Sequence, residues 1–365
     1  MASLPLRHRV GQLLIMGFDG TELTPALERM LITLQPAGII LFARNITSAQ
    51  QTFKLLEDCQ RVIRTPIFSC VDMEGGTVDR LRNVVAPAPS VAKVAQTRDT
   101  KLFEKHGRIL GEEVRALGFN TDFAPVSDLD LPPAHNVLGS RTASADPKEV
   151  VTFVKAFLKG LKSARVLGCG KHFPGLGEAN LDTHYELPAI NKPFEQQWEQ
   201  DLYPFRQLKH MFPFMMIAHA GYPAVTGDGT PASISKKWMT DILRKKIGYT
   251  GLILTDDLEM QGVLKMGSIE EISIQTMGAG ADMFLICHKE DLVWRAYEAI
   301  LRLAESDKKF ERRINDAADR VLRFKKGSRE LKPISTPPDE KIIARLRENI
   351  QKFTAEIESK TLAAQ

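Results

Sequence analysis

Along the chain, short unbroken apolar runs alternate with longer stretches in which apolar residues recur every three to four positions. The runs are QLLIMGF (12–18), GIILFAR (38–44), PIFSCVD (66–72), TDFAPVSDL (121–129), GCGKHF (168–173), FMMIAHA (214–220), GLILTDDL (251–258) and ADMFLIC (281–287). Runs of this length, rich in β-branched and aromatic residues and bounded by Gly, Pro or Asp, predict strands buried on both faces. The intervening stretches, such as LFEKHGRILGEEVRALG and PKEVVTFVKAFLKGLKSA, keep the helical period and consist largely of good helix formers. Strand and helix in strict alternation imply right-handed βαβ units and a parallel sheet. Eight such units predict a closed (β/α)8 barrel of the TIM type, with an open doubly wound sheet as the alternative.

The pattern changes after residue 305, which divides the chain into a barrel domain over 1–305 and a helical tail over 306–365. FERRINDAADRVLRFKK puts Ile314, Ala317, Ala318, Val321 and Leu322 on one helical face. ELKPISTPPD reads as a linker, and EKIIARLRENIQKFTAEIESK as a last helix. The tail is expected to pack on the barrel or on a second copy, so the protein is a monomer or a homodimer.

Composition narrows the class. An apolar fraction of 43% supports a core, and 26% charged residues speaks against disorder. With 49 Lys and Arg against 45 Asp and Glu, the excess of positive charge is small and interspersed. No aromatic-laced basic stripe is present, which argues against nucleic acid as a partner. Cys59, Cys70, Cys169 and Cys287 have no metal-type spacing, and three of them sit in strand-like runs. Reduced cysteines point to the cytoplasm. The first twenty residues lack the h-region and cleavage site of a signal peptide, and no stretch is long enough to span a membrane.

The chemically capable side chains gather where the runs end. Asp72 closes the third, Lys171 and His172 the fifth, His219 the sixth and Asp256 the seventh. In a barrel those carboxyl ends converge on one face, where active sites sit. Asp256 precedes Asp257 at the end of an apolar run; one acid is expected to cap the next element, leaving Asp256 for a pocket. Asp72 leads into Gly75-Gly76 and Arg80, which suggests a carboxylate taking sugar hydroxyls beside a close backbone. Arg141 lies in a long irregular segment. Asp182-Thr183-His184 follows the basic pair across a glycine-containing stretch, and an Asp two residues from a His can orient the imidazole. An isolated Asp-x-His is ordinarily only a bonded loop histidine, but Lys171, His172, Gly175 and Gly177 change that context. No HxxxH zinc motif, GxSxG elbow, P-loop or dinucleotide fingerprint is present, so neither a metal nor an organic cofactor is expected.

Taken together, DMEGGTVDR, LGSR, KHFPGLG followed by DTH, MIAH and LTDDLEM resemble glycoside hydrolase family 3, in its single-domain β-N-acetylhexosaminidase branch. The resemblance covers about residues 8–305 in matching order. It implies Asp256 as nucleophile and His184 as acid/base oriented by Asp182. Asp72, Arg80, Arg141, Lys171, His172 and His219 would hold the terminal N-acetylglucosamine (GlcNAc). The two-domain β-glucosidases of the family take their acid/base from a second domain, for which this chain has no room. The implied substrate is a small GlcNAc-terminated carbohydrate, a muropeptide fragment of peptidoglycan. A phosphorylase on the same site, or a sugar-binding barrel with impaired catalysis, are the rival expectations. Leu176 departs from the pattern, since the branch ordinarily has histidine between the two glycines.

Overall fold

The computed structural model describes residues 4–181, 186–334 and 336–363. Each apolar run contains one strand: β1 (Leu14–Met16), β2 (Gly38–Ile40), β3 (Phe68–Val71), β4 (Thr121–Asp122), β5 (Cys169–Phe173), β6 (Phe214–Ile217), β7 (Leu252–Asp257) and β8 (Met283–Ile286). They pair in parallel in the order β4-β3-β2-β1-β8-β7-β6-β5. First and last strands meet in register, Leu14 opposite Phe284 and Met16 opposite Ile286. Between β4 and β5 the ring is completed by single bonds: Asp122 N–H donates to Leu167 O and Cys169 N–H to Ala124 O, each at 2.8 Å. The protein is therefore a (β/α)8 barrel, and a doubly wound sheet is excluded.

The fourth strand is shorter than its run of 121–129. Pro125 has no N–H to give to a ladder, and beyond it only an isolated bridge joins Val126 to Lys171. The freed chain instead carries Ser127, Asp128 and the turn to Arg141 across the barrel mouth.

Two apolar layers hold the barrel. The outer one lies between strands and helices, where Thr100–Ala116 and Pro147–Ser163 are the longest flanking pair before the tail. The inner one fills the ring with Ile15, Ile40, Phe68, Phe123, Phe214 and Leu254 among others. Cys70, Cys169 and Cys287 belong to the inner layer, Cys59 to the outer, and all four are buried free thiols.

Helix Lys308–Gly327 closes the lower end of the ring. Asp307 caps it, accepting from Lys309 N–H at 2.7 Å. Its buried face is Ile314, Ala317, Ala318 and Val321, as the helical pattern predicts, while Leu322 is half-buried. Phe324 sits 6.0 Å from the Phe68 ring and 5.6 Å from that of Phe214, both at the amino ends of strands. Lys325 is carried inside with it, where Nζ donates to Gln12 Oε1 at 2.8 Å above the Phe68 ring. Helix Glu340–Ala363 lays Ile343, Leu346, Ile350, Phe353 and Ile357 against the barrel. Among the described residues no helix is long and apolar enough to cross a membrane.

Candidate active site

A cleft of about 200 Å³ opens at the carboxyl ends of the strands. It is lined by six of the residues singled out in the sequence: Asp72, Arg80, Arg141, Lys171, His172 and Asp256. That volume is below the range of drug-sized sites.

Lys171 is the centre of one wall. Its side chain is 3% exposed, and Nζ lies 3.0 Å from Asp72 Oδ1 and 2.5 Å from Glu74 Oε1. Burial works against its charge, but Asp72 and Glu74 outweigh burial and hold the pKa above lysine's usual value. Glu74, fully buried, also receives the Arg141 fork, Nε to Oε2 at 2.8 Å and Nη2 to Oε1 at 2.9 Å. For Glu74 burial favours the neutral acid, yet Arg141 and Lys171 overcome it and keep the carboxyl well below the usual range. Two cations are thus aimed by one carboxylate that the sequence reading passed over. Glu74 stood in plain view in DMEGG, but its role depends on partners 67 residues and more away.

His172 is fixed in the same way by Asp128, the second carboxylate the sequence did not flag. Its Nδ1–H donates to Asp128 Oδ2 at 2.7 Å, and its backbone N–H reaches the same oxygen at 3.1 Å. Asp128 Oδ1 accepts from Leu176 N–H at 2.7 Å. One side chain therefore orients a cleft imidazole and pins the start of the segment that follows β5. Leu176 is buried and lines the cleft. Asp182 and His184 lie outside the described residues.

The glycine pair after Asp72 has a packing role. Gly75 and Gly76 have φ of 85° and 63°, and a Cβ would meet Pro89 O at 2.3 Å or Ser90 Cβ at 2.5 Å. They let the hairpin Met73–Gly75/Val78–Asp79 lie on residues 88–90 rather than admit a ligand. Asp122 on β4 holds this hairpin by accepting from Met73 N–H at 2.9 Å.

On the facing side, β7 brings Asp256 to the cleft. Its Oδ1 accepts from Asp257 N–H at 2.9 Å, and Asp257 Oδ1 accepts from Glu259 N–H at 3.0 Å, so Asp257 is the acid that shapes the turn. Burial pushes the Asp256 carboxyl upward, but His172 above all, the Asp257 N–H and Lys171 hold it below the usual value. It is an anion at neutral pH with a cleft in front of it. His219 lies behind rather than in the cleft. It is fully buried, with Nδ1 2.7 Å from Ser233 Oγ and Nε2 2.9 Å from Asp257 O. A carbonyl only accepts, so Nε2 carries the hydrogen, and Nδ1 accepts from the Ser233 hydroxyl. Burial lowers the His219 pKa against the pull of Asp256, which keeps the ring neutral.

Among the described residues one cluster has metal-like spacing: Asp257, Glu259 and His288 offer ligand atoms within 4.8 Å of one another. Glu259 is already committed, because its oxygens accept from the N–H groups of Cys287, His288 and Lys289 ahead of helix Glu290–Ser306.

An ionised aspartate facing a cluster of fixed cations and carboxylates defines a site for polar, hydroxyl-rich ligands. The chain belongs to glycosyl hydrolase family 3: the family's N-terminal domain matches residues 5–324. Among similar proteins is a beta-hexosaminidase of Idiomarina loihiensis, 34% identical over 279 residues, covering 75% of this chain and 83% of that protein. A beta-hexosaminidase of Pseudomonas aeruginosa is 35% identical over 291 residues, covering 80% and 86% respectively. A solved family 3 beta-N-acetylglucosaminidase from Paenibacillus superposes with a TM-score of 0.90 at 30% identity, covering 96% of this chain and 69% of that one. The protein is a glycoside hydrolase related to the β-hexosaminidases.

Proposed function

We infer that the protein is an exo-acting β-N-acetylglucosaminidase that removes a terminal GlcNAc with retention of configuration. The carrying observation is Asp256, kept ionised at the cleft opposite the Lys171–Glu74–Arg141 group. Asp256 attacks the anomeric carbon while His184, oriented by Asp182, gives its proton to the leaving oxygen. His184 then takes a proton from water, which releases the sugar from Asp256. Retaining enzymes usually use two carboxylates about 5–5.5 Å apart; here the histidine–aspartate pair replaces one of them. Asp72, Arg80, Arg141, Lys171 and His172 hold the hydroxyls of the terminal sugar, and His219 steadies the Asp257 carbonyl from behind. The kinship to β-hexosaminidases supports GlcNAc as that sugar. The substrate is a peptidoglycan fragment, GlcNAc joined to an anhydro-muramic sugar, met in the cytoplasm.

Turnover of nitrophenyl β-GlcNAc should exceed that of the β-glucoside by orders of magnitude, because a site built to bond a group rejects the analogue lacking it. Equal rates would overturn the assignment. In phosphate buffer the product should be GlcNAc; accumulation of GlcNAc-1-phosphate would make the protein a phosphorylase. His184→Ala should keep activity on the activated nitrophenyl sugar and lose it on a disaccharide, since general acid help of about 10²–10⁴-fold matters most for poor leaving groups. Azide should restore its turnover as β-glycosyl azide. Equal losses on both substrates without azide rescue would remove His184 from that role.

A further inference from the structure

The groups just assigned come from the ends of β3, β4, β5, β6 and β7, leaving an aromatic group at β2 and β8 without a part. Phe42 stands two residues beyond β2, and His288 two beyond β8. Their rings stack at 5.3 Å between centroids with planes 27° apart. The Arg44 and Arg80 guanidinium carbons lie 4.8 Å and 5.7 Å from the Phe42 centroid. Phe42, Arg80 and His288 line the same cleft as Asp256. In the strand order β8 lies across the barrel from β4, so His288 faces the sugar-gripping wall over the mouth.

His288 is anchored on one side and open on the other. Nδ1 lies 3.2 Å from Glu259 Oε2 and 3.6 Å from Asp257 Oδ2, while the side chain is 49% exposed. Glu259 cannot swing away, being held by the backbone N–H groups of Cys287 and Lys289 at 2.8 and 2.9 Å. Ionised carboxylates only accept, so Nδ1 carries a hydrogen. The carboxylate of Asp257 first, and that of Glu259 further, raise the His288 pKa against burial and Arg44. With Nδ1 held by Glu259, Nε2 is the nitrogen left to bond a ligand hydroxyl, as donor when the ring is charged and as acceptor when it is neutral. Charges of both signs surround it, Asp257, Glu259 and the Asp19 partner of Arg44 on one side and Arg44 and Arg80 on the other. That favours a neutral hydroxyl-bearing ligand over an ion.

A glycosidase holds two parts of its substrate, the sugar it transfers and the group that leaves. An aromatic ring offers its face to the C–H side of a sugar while its polar edge bonds a hydroxyl. We propose that Phe42 and His288 form the leaving-group subsite, which receives a second hydroxyl-bearing sugar ring with His288 Nε2 bonded to one of its oxygens. This rests on the glycosidase reading above and adds to it where the leaving sugar sits.

The test compares the full chain and its His288→Ala variant on two substrates. GlcNAc β-fluoride has no leaving sugar; the β-1,4-linked GlcNAc disaccharide has one. Wild-type turnover of the fluoride tests the glycosidase reading by itself, and its absence would sink that reading. Given that turnover, the variant should match wild type within about twofold on the fluoride. On the disaccharide it should lose about tenfold in kcat/KM, mainly through KM, the effect of one lost hydrogen bond. Phe42→Ala should follow the same split. Equal losses on both substrates, or no loss on the disaccharide, would overturn the subsite.

Discussion

Replacing Glu74 isolates the group that aims two of the proposed sugar-binding cations. Glu74→Ala removes the shared counter-ion of Lys171 and Arg141 from a fully buried position. Breaking a buried pair from one side typically costs about 3–5 kcal/mol, because a charge is left uncompensated. Lys171 keeps Asp72 at 3.0 Å, and the Arg141 side chain, 19% exposed, can turn toward the cleft. The lower half of that range is therefore expected. Glu74→Gln keeps the volume and one acceptor but sets an NH2 against a cation, so about 2–3 kcal/mol is expected from the lost charged hydrogen bonds. Urea unfolding at pH 7 measures both. The pH dependence gives a second check. The folded-state pKa of Glu74 lies below its unfolded value, so its contribution is fully present above the unfolded carboxylate pKa of about 4.3. The contribution is lost as pH falls through the folded pKa, so the gap between wild type and Glu74→Gln should be constant from pH 5 to 8 and narrow below about pH 4. Each cation that loses its aim should forfeit a charged contact to the sugar, roughly 10- to 100-fold in kcat/KM on nitrophenyl β-GlcNAc. A Glu74→Gln protein that unfolds within 1 kcal/mol of wild type and keeps its kcat/KM would refute the reasoning.

Asp128→Ala strips acceptors from His172 and from Leu176 N–H. It should fold, as circular dichroism would report, and lose about 10²-fold in kcat/KM through misplacement of the cleft imidazole; retention of half the wild-type value would contradict that role. Burial holds the Lys325 amine well below the lysine value, so the unfolded chain binds the extra proton below about pH 10.4 and the penalty on the fold grows as pH falls toward the folded pKa. Lys325→Met should accordingly raise Tm at pH 7 in calorimetry, with the gain shrinking toward pH 10, whereas a lower Tm at both pH values would mean the Gln12 bond dominates.

The barrel was legible because each strand is buried on both faces and so leaves an apolar run in the sequence. The places where a run and its strand disagree have local causes, as at Pro125, where a missing N–H cuts the ladder short. The side chains at strand ends were legible for a related reason: a Lys, His or Asp at the end of an apolar run needs a partner or a task. The partners themselves were not. Glu74, Asp128 and Asp122 act across 44 residues or more, and nothing in their immediate neighbours marks them. His219 shows the converse. Its place after β6 matched the pattern of a cleft residue, but side-chain direction decides between cleft and core, and both of its nitrogens are taken up in the core. Gly75-Gly76 likewise answers to Pro89 and Ser90, which no local reading connects to it.

The bond between the first and last strands sets a schedule for biosynthesis. Leu14 and its partner Phe284 are about 270 residues apart, so at 5–20 residues per second roughly 15–55 s pass between the emergence of β1 and that of β8. Throughout that interval β1 has β2 on one edge and open backbone on the other, with apolar faces that the finished ring buries completely. Closing so long a loop adds little to the equilibrium cost, because loop entropy grows only with the logarithm of length. The waiting time is the more serious exposure: the nascent chain presents a sticky unpaired edge, and helix Lys308–Gly327, which seals the base, is synthesised later still. Slower growth temperatures and chaperone supply should therefore govern the yield of this protein more than its final stability does.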